Sequence, residues 1–100
     1  MPNEEVTQER CPSHPGLLLE EVIAATGRSR TDVAKMLGMP RHQLTDILKE
    51  RRPISPAVAA RLGKMFGDGA AVWLRMQAAH DAWRAERDVD TSAIPRLTAR

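Results

Sequence analysis

The chain has 100 residues, a formal net charge of +2 and a single cysteine, Cys11. A chain this short makes one domain at most and buries about 60–65% of its unfolded surface, so support from a partner chain is expected. One cysteine excludes an intramolecular disulfide. No apolar run approaches the roughly 20 residues of a membrane span, and the polar, acidic start MPNEEVTQERCPS lacks the pattern of a secretory leader. A reducing, cytoplasmic setting without membrane contact is expected.

Residues 1–13 show no hydrophobic period and read as a flexible N-terminal arm. The pattern turns helical at PGLLLEEVIAATG, with Leu18, Leu19, Val22 and Ile23 along one stripe. Pro15 suits the first turn, and Gly27 suits a left-handed cap. Ser29, three residues before Asp32, marks the start of a second helix that runs through Leu37. Gly38 permits the positive φ of a sharp corner, and Pro40 disfavours helix at Met39 while suiting the first turn of a third helix. That helix, from Pro40 to about Lys49, turns Leu44, Ile47 and Leu48 inward. Ser55 and Pro56 open a fourth, with Val58, Leu62, Met65 and Phe66 inward, ending at Gly67. Asp68 is the expected cap of a fifth helix running to about Arg87. The segment 88–100 reads as a loose tail, with Ile94 and Leu97 able to dock. The fold class expected is therefore all-α, with residues 14–87 as the domain.

Charge is uneven along this plan. Residues 1–27 carry Glu4, Glu5, Glu9, Glu20 and Glu21 against Arg10 alone. Residues 28–52 carry Arg28, Arg30, Lys35, Arg41, Lys49, Arg51 and Arg52 against Asp32, Asp46 and Glu50. A clustered basic excess around the corner suits a polyanionic partner, and an ordinary solvated face is the alternative.

The stretch DVAKMLGMPRHQLTDIL places Val33, small Ala34, Leu37, Gly38, Met39, Leu44 and Ile47 at the spacing of two short helices joined by a tight turn. It resembles the helix-turn-helix of the Cro and phage-repressor superfamily. The resemblance implies a five-helix, lambda-repressor-like DNA-binding domain whose motif is formed by the second and third helices. A helical corner without DNA binding is the competing reading. In the superfamily arrangement the second helix of the motif enters the major groove. Its outward residues here are Arg41, His42, Gln43, Thr45, Asp46 and Lys49, the expected base readers. Arg41 can grip guanine O6 and N7, Gln43 can pair with adenine and Thr45 can touch a thymine methyl. Asp46 either accepts from cytosine N4 or orients His42 one turn earlier, with the orienting role preferred. Ser29, Arg30 and Thr31 at a helix N-terminus, with Arg51 and Arg52 past the recognition helix, are the expected phosphate contacts.

A narrower likeness covers about residues 14–94. HPG at 14–16, RRPISPAVAARLGKMFG after the recognition helix, WLRMQAAHDAW at 73–83 and DVDTSAI resemble HigA-type antitoxins. The likeness implies a homodimer that binds double-stranded operator DNA, represses its own operon and neutralises a HigB-type messenger-RNA-cleaving toxin. Leu17, where many relatives are acidic, and His80, often aromatic there, depart from the family pattern. The fifth helix supports a dimer independently. Val72, Met76, Ala79 and Trp83 form one apolar face, and Leu74, Ala78, Ala82 and Ala85 another, with Trp73 between. A helix apolar on two sides needs two covers, so the first set is the expected dimer interface. Trp73 in the monomer core is compatible with this.

His14, His42 and His80 are far apart in sequence, and Cys11 with His14 makes a single C-x-x-H pair, so no metal or cofactor is expected. His14 is expected instead at the entry of helix one, satisfying free backbone groups. No phosphate loop or nucleophile–base pair can be assembled, so an enzyme is not expected. The alternatives to an antitoxin are a free-standing helix-turn-helix regulator without a toxin, or an adaptor that has lost DNA binding. The flanking Arg30, Arg51 and Arg52 argue against the adaptor.

Overall fold

Local capping chemistry sets most of the helix boundaries. The computed structural model describes residues 10–98, and among them five helices run α1 (Pro15–Thr26), α2 (Arg30–Leu37), α3 (Arg41–Leu48), α4 (Pro56–Phe66) and α5 (Ala70–Asp88). His14 begins α1, its Nδ1 accepting the Gly16 amide at 2.9 Å. Ser29 begins α2 by accepting the Asp32 amide at 3.0 Å, and Ser55 begins α4 by accepting that of Val58 at 3.2 Å. These oxygens and the ring nitrogen satisfy donors that an uncapped helix start leaves orphaned. Gly27, Gly38 and Gly67 close α1, α2 and α4 in the left-handed region. Pro40 precedes α3 as its N-cap rather than standing inside its first turn.

The fifth helix start differs from expectation. α5 is capped by Gly69, without a side-chain hydrogen bond, and Asp68 stands one residue too early to cap it. The Asp68 carboxylate instead accepts the Trp73 indole N–H at 3.0 Å. An apolar core offers that N–H no acceptor, so the nearest carboxylate at the core's edge takes it.

The core is built from Leu19 and Ile23 of α1, Val33, Ala34 and Leu37 of α2, Leu44, Ile47 and Leu48 of α3, and Val58, Ala59 and Leu62 of α4, with Met39 and Ile54 from connectors. Trp73, 0% exposed, is its largest fully buried side chain, which places it in the monomer core. Leu18, on one apolar stripe with Leu19 in the sequence pattern, is exposed, because α1 buries only the strip that meets α3 and α5. α4 and α5 pack closely on each other, while α2 packs on α3 and α4. Gly16 allows the start of α1 to lie directly on the end of α3, since a Cβ there would meet the Ile47 carbonyl oxygen. α3 is thus braced by α1 at one end and by the α2 corner at the other.

Beyond α5 the described residues do not dock on the core. Ile94 is 68% exposed and Leu97 86%, so the expected burial of this pair is not found. Short turns hold the segment instead, with Ile94 N–H donating to the Thr91 carbonyl at 2.9 Å. Of the expected N-terminal arm, residues 1–9 lie outside the described residues. No helix among those described is long and apolar enough to cross a membrane.

Candidate DNA interface

The corner between α2 and α3 is closed by backbone geometry. Gly38 takes φ 73° and ψ 34°, a conformation that costs an L-residue about 1–2 kcal/mol. Its amide donates to Lys35 O at 3.1 Å, and that of Met39 donates to Ala34 O at 3.0 Å, the paired bonds of a Schellman cap. Met39 then buries its side chain in the core. Two anchored residues therefore fix the direction in which α3 leaves.

α3 buries Leu44, Ile47 and Leu48 and turns its other side outward. Arg41 and His42 in its first turn are exposed, as is Lys49 at its end. Gln43, Thr45 and Asp46 are half-buried along its flanks. The helical repeat stacks Arg41 over Thr45 and His42 over Asp46, so four polar side chains project from two adjacent ridges.

Asp46 does not orient His42. No hydrogen bond or ion pair joins them among the described residues, and the Asp46 carboxylate lies 3.8 Å from the Arg52 guanidinium. The chain reverses after α3 through Glu50, which adopts φ 62°, and the Arg51 amide donates to Asp46 O at 2.8 Å. This tight reversal brings Arg52 back beside the helix it follows. The acid on the outer side of α3 is therefore balanced by a neighbouring cation.

The other flank also has a partner that the sequence pattern missed. Arg30 is ion-paired with Glu20 of α1. The Ser29 hydroxyl oxygen is occupied as the N-cap of α2, while Thr31 is exposed in the first turn. Arg51 and Arg52 are exposed past the far end of α3. A shallow hollow lined by Arg28, Ser29, Arg30 and Leu48 sets the N-terminus of α2 beside the end of α3, and Arg51 and Arg52 follow that end in the chain.

Gln77 of α5, buried, contributes from further away. Its side-chain carbonyl accepts the Ile54 amide at 2.8 Å, and its amide donates to Asp81 at 3.0 Å. It therefore anchors the connector that carries Arg51 and Arg52. An isolated glutamine within an apolar helical pattern is the signal that could have found it.

On α5, Val72 and Met76 are half-buried against the core, Ala79 is exposed and Trp83 is half-buried beneath the Arg87 guanidinium, 3.7 Å from its ring centre. Val72, Met76 and Ala79 line an open apolar hollow of about 380 Å³ with Pro12, Ser13 and Arg75. His80 turns toward the chain start, where its Nδ1 donates to the Pro12 carbonyl at 2.8 Å. Its ring meets that of His14 edge-on at 5.2 Å, so these two histidines, distant in sequence, are neighbours in the fold. Cys11 Sγ lies 3.6 Å from His80 Nδ1. Even so, no group of three or more metal-ligating side chains is assembled among the described residues.

No family model matches the chain. It is 42% identical over 71 residues to virulence-associated protein A of Dichelobacter nodosus, covering 69% of this chain and 70% of that protein. The solved addiction-module antidote protein of the HigA family from Coxiella burnetii matches with a TM-score of 0.77 and 33% identity, over 91% of this chain and all of that one. The chain belongs to the HigA family of helix-turn-helix antitoxins. A further family structure, Pseudomonas aeruginosa antitoxin HigA with the higBA promoter, matches with a TM-score of 0.72 and 27% identity, over 86% of this chain and 99% of that one. The family likeness therefore spans α1 to α5, the whole scaffold on which the corner is mounted.

Proposed function

We propose that the chain is the antitoxin of a type II toxin–antitoxin module. It acts as a homodimer that represses its own operon by binding operator DNA and neutralises a HigB-type messenger-RNA-cleaving toxin by binding it. The observation that carries the DNA-binding part is the braced recognition helix. α3 presents Arg41, His42, Gln43, Thr45, Asp46 and Lys49 from a rigid corner, with basic side chains at both ends. The family member solved with its promoter supports the same assignment.

In this reading α3 enters the major groove N-terminal end first. Arg41 reads guanine, Gln43 adenine, and Thr45 a thymine methyl, while His42 and Lys49 complete the contact surface. Asp46 favours cytosine over bases that offer no donor, and its pairing with Arg52 limits repulsion from nearby phosphates. Ser29, Arg30, Thr31, Arg51 and Arg52 hold the phosphates that set register. The α5 face of Val72, Met76, Ala79 and Trp83 joins two copies about a two-fold axis. The assigned role is binding alone, with no chemical step.

The test is co-purification of the tagged chain expressed with its native flanking genes, followed by mass identification. A small basic partner that arrests growth when expressed alone, and is silenced by this chain, is the expected result. Specific promoter binding without any such partner would replace the antitoxin reading with a plain regulator.

A further inference from the structure

The carbonyl oxygens at the end of α2 include two that the cap does not use. Ala34 and Lys35 are satisfied by the amides of Gly38 and Met39. Leu37 and Gly38 lie beyond the reach of intrahelical donors. Both are taken by one nitrogen from another helix, since Arg61 Nη1 of α4 donates to Gly38 O at 2.8 Å and to Leu37 O at 3.2 Å.

We propose that Arg61 is a positioning residue of the DNA interface, a strut from α4 that sets the angle at which α3 is presented. A single guanidinium nitrogen carries two hydrogens in one plane. Bonding both carbonyls fixes the orientation of two successive peptide planes, those on either side of Gly38 Cα. The relative orientation of these planes is the φ and ψ of Gly38, the torsions that aim the chain toward α3. The base of the strut is firm, because its neighbours Ala59 and Leu62 are wholly buried in the core. Its tip carries positive charge to the negative end of the α2 dipole, where charge-assisted bonds are strengthened. Arg61 lies on a different helix from the residues proposed to read bases. Its effect on DNA therefore passes through the corner.

The inference rests on the DNA-binding reading above, and one experiment separates the two. The full-length chain and its Arg61→Met and Arg61→Lys variants are titrated against a labelled fragment of the chain's own promoter and a scrambled fragment of equal length. Titrations are run across a salt series, at a temperature where circular dichroism shows each variant folded. Arg61→Met should bind the promoter about tenfold more weakly, with scrambled-fragment affinity and salt slope unchanged, and Arg61→Lys should recover part of the loss. In parallel and without DNA, amide exchange should quicken at Met39, Gln43 and Leu44 in Arg61→Met while Leu19 holds its protection. Equal loss on both fragments, with a shallower salt slope, would make Arg61 a phosphate contact and overturn the inference. An unchanged promoter preference with unchanged exchange would also overturn it. If the wild-type chain itself shows no promoter preference, the DNA-binding reading fails, whatever the variants do.

Discussion

At the entrance to α1 the unprotonated Nδ1 of His14 accepts the Gly16 amide, which it can do only as a neutral ring. Burial lowers the His14 pKa from 6.5, and the adjacent His80 lowers it further, against the opposing pull of Glu50, Asp81 and the Arg52 carbonyl. A histidine whose folded pKa is depressed stabilises the fold fully above its unfolded value. That stability is lost as pH falls through the lower folded value. Chemical denaturation at pH 7.5 and pH 5 should therefore show a decline at the lower pH, and His14→Asn, which keeps a cap without titrating, should reduce it. An undiminished decline in His14→Asn would assign the effect to other groups. Replacement by Ala should cost about 0.5–2 kcal/mol at neutral pH, the range for a lost N-cap. On the interface, Arg41→Ala should relax discrimination at one operator position by about 1–3 kcal/mol, read by competition with single-base variants. Arg52→Ala should weaken all sequences alike and lower the salt slope by about 1. Normal operator binding by both variants would contradict the groove assignment.

Among the elements, the α2–α3 corner and the reversal after α3 use the same left-handed backbone with different residues. Gly38 meets the requirement without strain, whereas Glu50 meets it at φ 62° with a side chain. Gly38→Ala should destabilise by about 1–2 kcal/mol and Glu50→Gly should stabilise by about 1 kcal/mol, both measured by urea unfolding. Opposite signs from one torsion are the signature to look for. The corner was legible in the sequence because glycine, proline and the capping serines act within three or four residues of themselves. Side chains whose partners belong to other elements were not legible. Arg30 pairs with Glu20 across ten positions, and Gln77 reaches Ile54 across twenty-three. Asp68 fits a cap by residue type, but Trp73, invisible to a local pattern, claims its carboxylate. Asp46 and Arg52 were missed as a pair for a related reason, since only the reversal at Glu50 folds Arg52 back.

For the whole molecule, a domain of this size has little core to spare, and one fully buried tryptophan ties α5 into that core. The second tryptophan, Trp83, stays half-buried at the end of the face that Val72 and Met76 begin. If that face joins two copies, Met76→Glu should shift the chain to monomer in sedimentation equilibrium, while its far-ultraviolet circular dichroism remains helical. A variant that stays dimeric would move the interface elsewhere. Two-fold pairing matters because one recognition helix covers only half an operator, and a dimer sets half-sites roughly 34 Å apart along the DNA.

Footprinting of the chain on its own promoter tests the central claim most directly. The account predicts two protected segments related by a two-fold axis, their centres one helical turn or a multiple of it apart, with the Arg41→Ala variant losing protection at one matching position in each half. Uniform, sequence-independent protection that vanishes at moderate salt would contradict it.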